Sequence, residues 1–467
     1  MKQFKKPLIT KRWIQYAATL SASLTMFLCG MHFVWTSPSL PKLYANDSTI
    51  PTTVEDGSWM ASIELFGDIP AAPVSAFAAD YFGRKMTMLL TAIPFLGSWL
   101  LIAFAKDTST LITARFVAGF ATGCIFTMLP MYIGEISDPD IRGSLSNGQM
   151  VMFDVGSLFF YSVAPWISIK LMALIGSIFP LIFFATFFFM PESPYYYLMK
   201  EDPQKAKESL KRLRGVRNIK ESDFQELIKS MEIENTQSSK WSDLCNSYLK
   251  GLIIVLGLKT LQIMSGVYAI LTYAELIFDQ AGGIFSGKTS SVLFGIVQFL
   301  SSLGSLLFVD GIGRRPLLII SCIGCFLALS AQTVYFYLQL HNLYELNFLG
   351  WIPISSLLFY TMAHGIGLGP IPYLITGEIF PTNIKAKALC VLDLYAALIE
   401  FIVLKNYQII ANSYGSHVPF GIFSISCIVG IVFVLLMVPE TKGQTLEQIQ
   451  EIMKSKIHVK PKCLTKV

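Results

Sequence analysis

Two acid–base pairs stand at matched places in this 467-residue sequence. Glu135 is followed seven residues on by Arg142, and Glu378 seven residues on by Lys385. Each pair goes with a glycine–arginine turn, Asp80-Tyr-Phe-Gly83-Arg84-Lys85 for the first and Asp310-Gly-Ile-Gly313-Arg314-Arg315 for the second. A carboxylate and a guanidinium at a partly dry helix junction hold two helix bundles together and separate when the bundles rock apart. Arg84, Lys85, Glu135, Arg142, Arg314, Arg315, Glu378 and Lys385 therefore read as a gate. Bare orientation of a membrane protein needs basic residues but no acids at matched offsets. The run Gly365-Ile-Gly367-Leu-Gly369-Pro370-Ile-Pro372 points the same way, because prolines break a helix without improving its packing. Other residue types lead nowhere comparable. Cys322-Ile-Gly-Cys325 has metal-like spacing but sits in an apolar run with no second pair. His32 and His364 fall inside apolar runs, where a packing histidine and a cavity histidine look alike. No nucleophile–base constellation, phosphate loop or metal cluster stands out, so the expected chemistry is movement of a solute, with no enzyme activity, cofactor or metal.

The elements that must position these residues follow from composition. The chain is 53% hydrophobic and only 14% charged, with mean hydropathy +0.55, against about 25% charged residues in soluble domains. The apolar material falls into runs of bilayer-spanning length. They predict helices near 14–35, 59–79, 86–105, 111–134, 145–167 and 169–190, then 251–279, 289–309, 316–339, 350–376, 386–410 and 417–438. The words before the polar middle recur after it: Gly83 and Gly313, Glu135 and Glu378, Pro191-Glu192 and Pro439-Glu440, at offsets of about 230, 243 and 248 residues. That is a parallel internal duplication. The expected fold class is an all-α membrane protein of twelve transmembrane helices in two pseudo-symmetric six-helix halves. The halves are residues 1–190 and 251–441, joined by a cytoplasmic linker, 191–250, and followed by a cytoplasmic tail, 442–467.

Charge placement sets the orientation. Lys2, Lys5, Lys6, Lys11 and Arg12 precede the first span, and the even-numbered loops carry most of the remaining basic residues, which predicts both termini in the cytoplasm. The net charge of +5 thus orients the chain and is no nucleic-acid footprint. Asn46-Asp-Ser48 in the first outer loop is a glycosylation sequon. Within the linker, Lys205–Arg214 and the stretch from Phe224 have apolar residues at helical spacing and read as amphipathic helices under the membrane; Leu446, Ile449 and Ile452 suggest one more in the tail. The eight cysteines are scattered, mostly within the apolar runs, as reduced thiols in packed helices are.

Together, Arg115-Phe, Pro130-Met-Tyr-Ile-Gly-Glu135, Arg142-Gly143, Pro191-Glu-Ser-Pro, Gly313-Arg-Arg, Gly369-Pro-Ile-Pro372 and Pro439-Glu-Thr-Lys-Gly443 resemble the signature set of sugar porters in the major facilitator superfamily. Trp35-Thr-Ser-Pro-Ser-Leu, Gly377-Glu-Ile-Phe-Pro381 and Arg214-Gly215 resemble its insect facilitated trehalose transporter group. The resemblance covers nearly the whole chain. It implies the major facilitator fold, a central sugar site and alternating access in the cell membrane, with sugar or a related small solute and membrane lipid as partners. It also implies solute contacts from Gln262, Tyr268, Gln298 and Tyr373. The family pattern Gln-Gln-x-Ser-Gly-x-Asn stands here as Gln262-Ile263-Met264-Ser265-Gly266-Val267-Tyr268. Ile263, Ala396 and Ala397 replace polar or aromatic family residues, and Met150 stands where many members have Gln. These losses leave open a same-fold transporter of a less hydroxylated solute. A nontransporting membrane sensor is the reading from another class. Proton-coupled members carry an acid in the first helix; Ile14–Trp35 has none, so a uniporter of hexose or trehalose is expected over a proton symporter. Glu64, Asp68, Asp154, Asp393 and Glu400 then read as paired or placed near wet helix ends.

Overall fold

The computed structural model describes residues 12–216, 248–341, 349–380 and 382–442, with scattered residues between 219 and 244 and Gln448. The described helices line up as twelve rods, eight continuous and four broken once. In the first half these are α1 (Trp13–Phe33) continued by α2 (Thr36–Tyr44), α3 (Val54–Phe82), α4 (Arg84–Leu90) continued by α5 (Ala92–Ala103), α6 (Thr108–Ile136), α7 (Pro139–Val163) and α8 (Ile169–Phe187). Two short helices follow, α9 (Pro194–Met199) and α10 (Pro203–Arg214). The second half comprises α11 (Leu249–Met264) continued by α12 (Val267–Ala281), α13 (Gly287–Ile312), α14 (Arg314–Leu340), α15 (Ile352–Ile366) continued by α16 (Ile371–Ile379), α17 (Thr382–Tyr414) and α18 (His417–Met437).

Local chemistry fixes many of the starts. Thr53 and Asp56 form a reciprocal capping box ahead of α3, and Asp107, Ser168, Ser286 and Asp202 cap α6, α8, α13 and α10 with side-chain oxygens, each satisfying a backbone N–H that a helix start leaves free. The break between α11 and α12 is equally legible. Gly266 has φ +86°, and a Cβ there would lie 2.3 Å from the Phe423 ring.

Among the described residues, eight of the rods are long and apolar enough to cross a membrane by length and composition alone. The other four, α3, α7, α13 and α17, carry most of the acids within the rods, Glu64 and Asp68, Asp154, and Asp393 and Glu400, together with the Gln298 amide. These four pack against one another, α3 on α17 and α7 on α13, and so form the junction between the halves. Charge is tolerated inside a membrane where it faces protein or water, and that explains why the least apolar rods are the ones that meet there.

Several cross-half hydrogen bonds between described residues lie in the middle of the rods and at the end away from Gly83 and Gly313. Thr36 Oγ1 donates to the Thr272 carbonyl (3.1 Å), the Glu275 N–H to Ser37 Oγ (3.0 Å), Tyr161 Oη to the Leu271 carbonyl (2.5 Å) and Lys405 Nζ to Ser58 Oγ (2.9 Å). Trp59 and Phe66 of α3 meet Phe401 of α17 on the same seam.

The expected linker helix over Lys205–Arg214 is α10. Ala206, Leu210 and Leu213 are its buried side, and Gly215 ends it in the left-handed conformation. It is docked by charge under the first half: Asp138 binds both Arg214 (3.2 Å) and Arg12 (2.9 Å). Phe224 packs on Ala206 and Leu210. The tail helix expected at Leu446, Ile449 and Ile452 lies outside the described residues.

Candidate solute site and gates

The repeated words build the same device in each half. Gly83 (φ +95°) and Gly313 (φ +115°) turn the chain sharply between two rods, a backbone conformation that glycine adopts without penalty. The turn exposes the first N–H groups of the next helix, and a carboxylate from the far end of the same half caps them. Glu192 accepts from the Lys85 N–H at 3.0 Å, and Glu440 from the N–H groups of Arg314 and Arg315 at 3.0 and 3.1 Å. The approach is close: a Cβ on Gly83 would stand 2.3 Å from Glu192 Oε2, and one on Gly313 3.1 Å from Glu440 Oε2. Burial raises the Glu192 carboxyl above its ordinary value, while the Lys85 and Ser193 N–H groups pull it down. Pro191-Glu192 and Pro439-Glu440 are therefore parts of the turn machinery.

The arginines of these turns take the gate acids. Arg84 Nε donates to both Glu135 oxygens at 3.1 Å and its terminal nitrogen reaches Oε1 at 3.0 Å. Arg314 reaches Glu378 Oε1 at 3.0 Å, and Thr441 donates to the other oxygen. This differs from the pairing expected from sequence. Arg142 sits in the first turn of α7 and reaches the Ser137 carbonyl at 3.4 Å, while the Lys385 ammonium lies beside Gly377. Lys85 lies over the Phe188 ring and Arg315 donates to the Leu435 carbonyl. Each acid is clamped within its own half by these contacts, so the two pairs brace the halves individually.

Three of the four expected solute contacts converge, and they converge on a residue that the motifs did not single out. Lys259 is 3% exposed in the middle of α11. Its ammonium donates to Gln262 Oε1 (2.8 Å), Tyr373 Oη (2.6 Å) and Tyr268 Oη (3.3 Å), and lies 4.3 Å from the Tyr373 ring centroid. Gln262 is held as well by its other end, where Nε2 donates to the carbonyls of Leu368 (3.0 Å) and Gly369 (2.9 Å). Those carbonyls belong to the Gly367–Pro370 break between α15 and α16, so the break presents backbone acceptors to the centre of the molecule, as interrupted helices do where they line a cavity. Tyr268 meets Phe33 of the other half edge-on at 5.9 Å, and Tyr373 is 45% exposed. Gln298 stands apart: its Nε2 donates to Asp154 Oδ1 at 2.8 Å across the α7–α13 seam. Lys259 was legible only as a lone charge inside an apolar run.

Other interior groups resolve into supports. Arg115, fully buried, binds Glu64, the His32 carbonyl and the Met60 carbonyl. His32 is stacked between Phe95 and Trp99, with centroids at 5.6 and 4.1 Å, as a packing histidine. Cys322 and Cys325 are buried free thiols. Asn46 lies in the exposed turn between α2 and α3. Two apolar grooves of about 420 and 350 Å³, lined in part by Leu100 and Phe104 and by Val334 and Leu338, lie away from the polar centre.

Comparison with known proteins agrees with this architecture. The family model described as "Sugar (and other) transporter" matches residues 18–453. The chain is 33% identical over 455 residues to a facilitated trehalose transporter Tret1-2 homolog of Drosophila simulans, covering 95% of this chain and 92% of that protein. It is 32% identical over 453 residues to the facilitated trehalose transporter Tret1 of Culex quinquefasciatus, covering 96% and 87%. Against Tret1 of Drosophila yakuba, 33% identical over 449 residues, it spans about half of the relative's length, 52%. Among solved structures, the xylose transporter XylE of E. coli in an inward-open conformation superposes with a TM-score of 0.77 at 21% identity, covering 94% of this chain and 99% of that one. XylE bound to 6-bromo-6-deoxy-D-glucose gives 0.73 at 20% identity, covering 95% and 100%. The fold is that of the major facilitator superfamily, and the chain belongs to its sugar transporter family.

Proposed function

We propose that this protein is a facilitative carrier of a sugar, hexose or trehalose, working by alternating access in the cell membrane. The observation that carries the reading is the polar centre. Gln262, Tyr268 and Tyr373 converge on one point within the rods, beside a broken helix that offers backbone carbonyls, between two halves whose described residues are tied by bonds at the end away from Gly83 and Gly313. Its relatives' names specify trehalose and facilitation. With the termini in the cytoplasm, as the basic residues before Trp13 favour, the tied end is the outer one and the site opens inward. Asn46 is then outside and available for glycosylation. Arg84–Glu135 and Arg314–Glu378 hold each half rigid at its inner end, so that the halves rock as bodies, while Arg142, Lys85, Arg315 and Lys385 line the inner mouth. Residues 191–250 serve as the inner linker and 442–467 as the inner tail.

The experiment is uptake of a labelled panel, including glucose, fructose and trehalose with amino acids as controls, by cells that lack their own sugar uptake and display this protein. Saturable uptake of one or more sugars and of no amino acid is expected. Uptake confined to a non-sugar solute, or no uptake by surface-displayed protein, overturns the reading.

A further inference from the structure

We propose that Lys259 is the specificity-determining residue of this site: its ammonium donates charge-assisted hydrogen bonds to solute hydroxyls and restricts the site to uncharged polyhydroxy solutes. The inference rests on the sugar-carrier reading above.

The argument is a count of donors. A sugar hydroxyl buried in a protein needs partners, and the side chain usually best suited to that is an amide, with two N–H donors and an accepting oxygen. Here the Gln262 amide is not available to donate, because Nε2 is already given to the Leu368 and Gly369 carbonyls. Ile263, next in the chain, has no donor. What remains at the convergence point is the hydroxyls of Tyr268 and Tyr373 and the three donors of Lys259. Those three donors are given to Gln262 Oε1, Tyr268 Oη and Tyr373 Oη. All three acceptors are neutral, so the ammonium can exchange one of them for a solute oxygen without breaking a salt bridge. Tyr373 is the exposed member of the set, which puts the exchange on its side. A solute oxygen bound there receives a hydrogen bond from a cation, about twice as strong as one from a neutral donor.

Charge explains the restriction. Asp393 and Glu400 on α17, which packs against α11, lie within electrostatic reach of Lys259. Glu400 is 6% exposed, with Oε1 lacking any hydrogen-bond partner, whereas Asp393 is exposed. An anionic solute that paired with Lys259 would stand near the Asp393 carboxylate, and a cationic solute drawn to Asp393 would meet the ammonium. A neutral polyol meets neither penalty. This is rejection built from repulsion as well as selection by attraction.

The rival explanation is that Lys259 only staples α11 to α16 through Tyr373. The two are separated by competition of a deoxy-sugar panel against uptake of the parent sugar, in wild type, Lys259→Met and Lys259→Arg. Wild type should lose about tenfold or more in apparent affinity for one particular deoxy position. Lys259→Met should lose about as much for the parent sugar and become indifferent to that position, with a smaller change in maximal rate, and Lys259→Arg should keep the preference. A Lys259→Met protein with the wild-type analogue profile, whatever its rate, makes the residue a staple and overturns the proposal. If Lys259→Met does not reach the surface, wild type alone decides: glucuronate or glucosamine competing as well as glucose overturns it, and weaker competition by both, about tenfold or more, supports it. A wild-type protein that takes up no sugar removes the carrier reading itself, an outcome distinct from either.

Discussion

Removing the hydroxyl of Tyr161 should tilt the balance between the two ends of the transporter by a calculable amount. The ring is fully buried on α7 and its hydroxyl donates to the Leu271 carbonyl of α12 at 2.5 Å, across the junction of the halves. Tyr161→Phe keeps the ring and its edge-on contact with Phe294 and deletes the bond alone. A buried neutral hydrogen bond contributes about 1 kcal/mol net, which is about a fivefold change in the ratio of the tied state to a state open at that end. Lys405→Met removes a second tie, the charge-assisted bond to Ser58 and the cation–π contact with Trp59, and the two sites share no hydrogen-bond partner, so the double variant should shift the ratio by about fivefold or more again if the effects add. The assay is the distance distribution between spin labels at Asp47 and Ser286, both exposed near the tied end and on opposite halves. The ratio of the longer- to the shorter-distance population should grow about fivefold in the single variant. Unchanged populations in both variants would refute the reasoning, since they would mean these bonds persist when the end opens.

Further outcomes follow from the turn modules and the topology. Gly83→Ala places a Cβ 2.3 Å from Glu192 at φ +95° and should destabilise the purified protein by about 2 kcal/mol or more, with Gly313→Ala (3.1 Å from Glu440) less severe; thermal midpoints by fluorescence-detected chromatography rank the two. Glu135→Gln leaves the buried Arg84 guanidinium with only the exposed Asp80 carboxylate, at 3.7 Å, as a charge partner and should cost about 3 kcal/mol, whereas Arg142→Leu removes a 3.4 Å bond to a carbonyl. Surface-normalised transport should therefore fall far more in the first than in the second, and equal losses would restore the seven-residue pairing. A cysteine at Asn46 should react with an impermeant reagent applied to intact cells, and protection there would reverse the topology.

Much of this was readable in the chain because hydrophobic runs, repeated words and basic loops each report one physical constraint. The bilayer fixes run length, so the twelve rods and the helix over Lys205–Arg214 were visible. The duplication marked Gly83 and Gly313, Glu135 and Glu378. What the sequence could not show was who pairs with whom. Seven residues separate Glu135 from Arg142, but the chain reverses between them, and the acid instead meets Arg84, 51 residues away. Pro191-Glu192 and Pro439-Glu440 were visible as repeats, yet their role as helix caps depends on a turn that returns from the far end of the half. Lys259 was hidden for a related reason: a single lysine in an apolar run has no signature until the fold brings Gln262, Tyr268 and Tyr373 around it. Conversely Gln298, picked for its amide, is engaged with Asp154, because amides suited to a sugar suit a buried carboxylate equally well.

The central claim is that sugar crosses through this protein passively, and the level reached at equilibrium tests it. Purified protein in sealed lipid vesicles is given the labelled sugar identified by the uptake panel, with an inward proton gradient imposed. The account predicts that internal sugar rises faster than in protein-free vesicles, levels off at the external concentration, and keeps that plateau when an uncoupler is added. Accumulation above the external concentration, abolished by the uncoupler, would contradict it and turn attention to the acids within the rods, Asp68, Asp154, Asp393 and Glu400, as proton carriers.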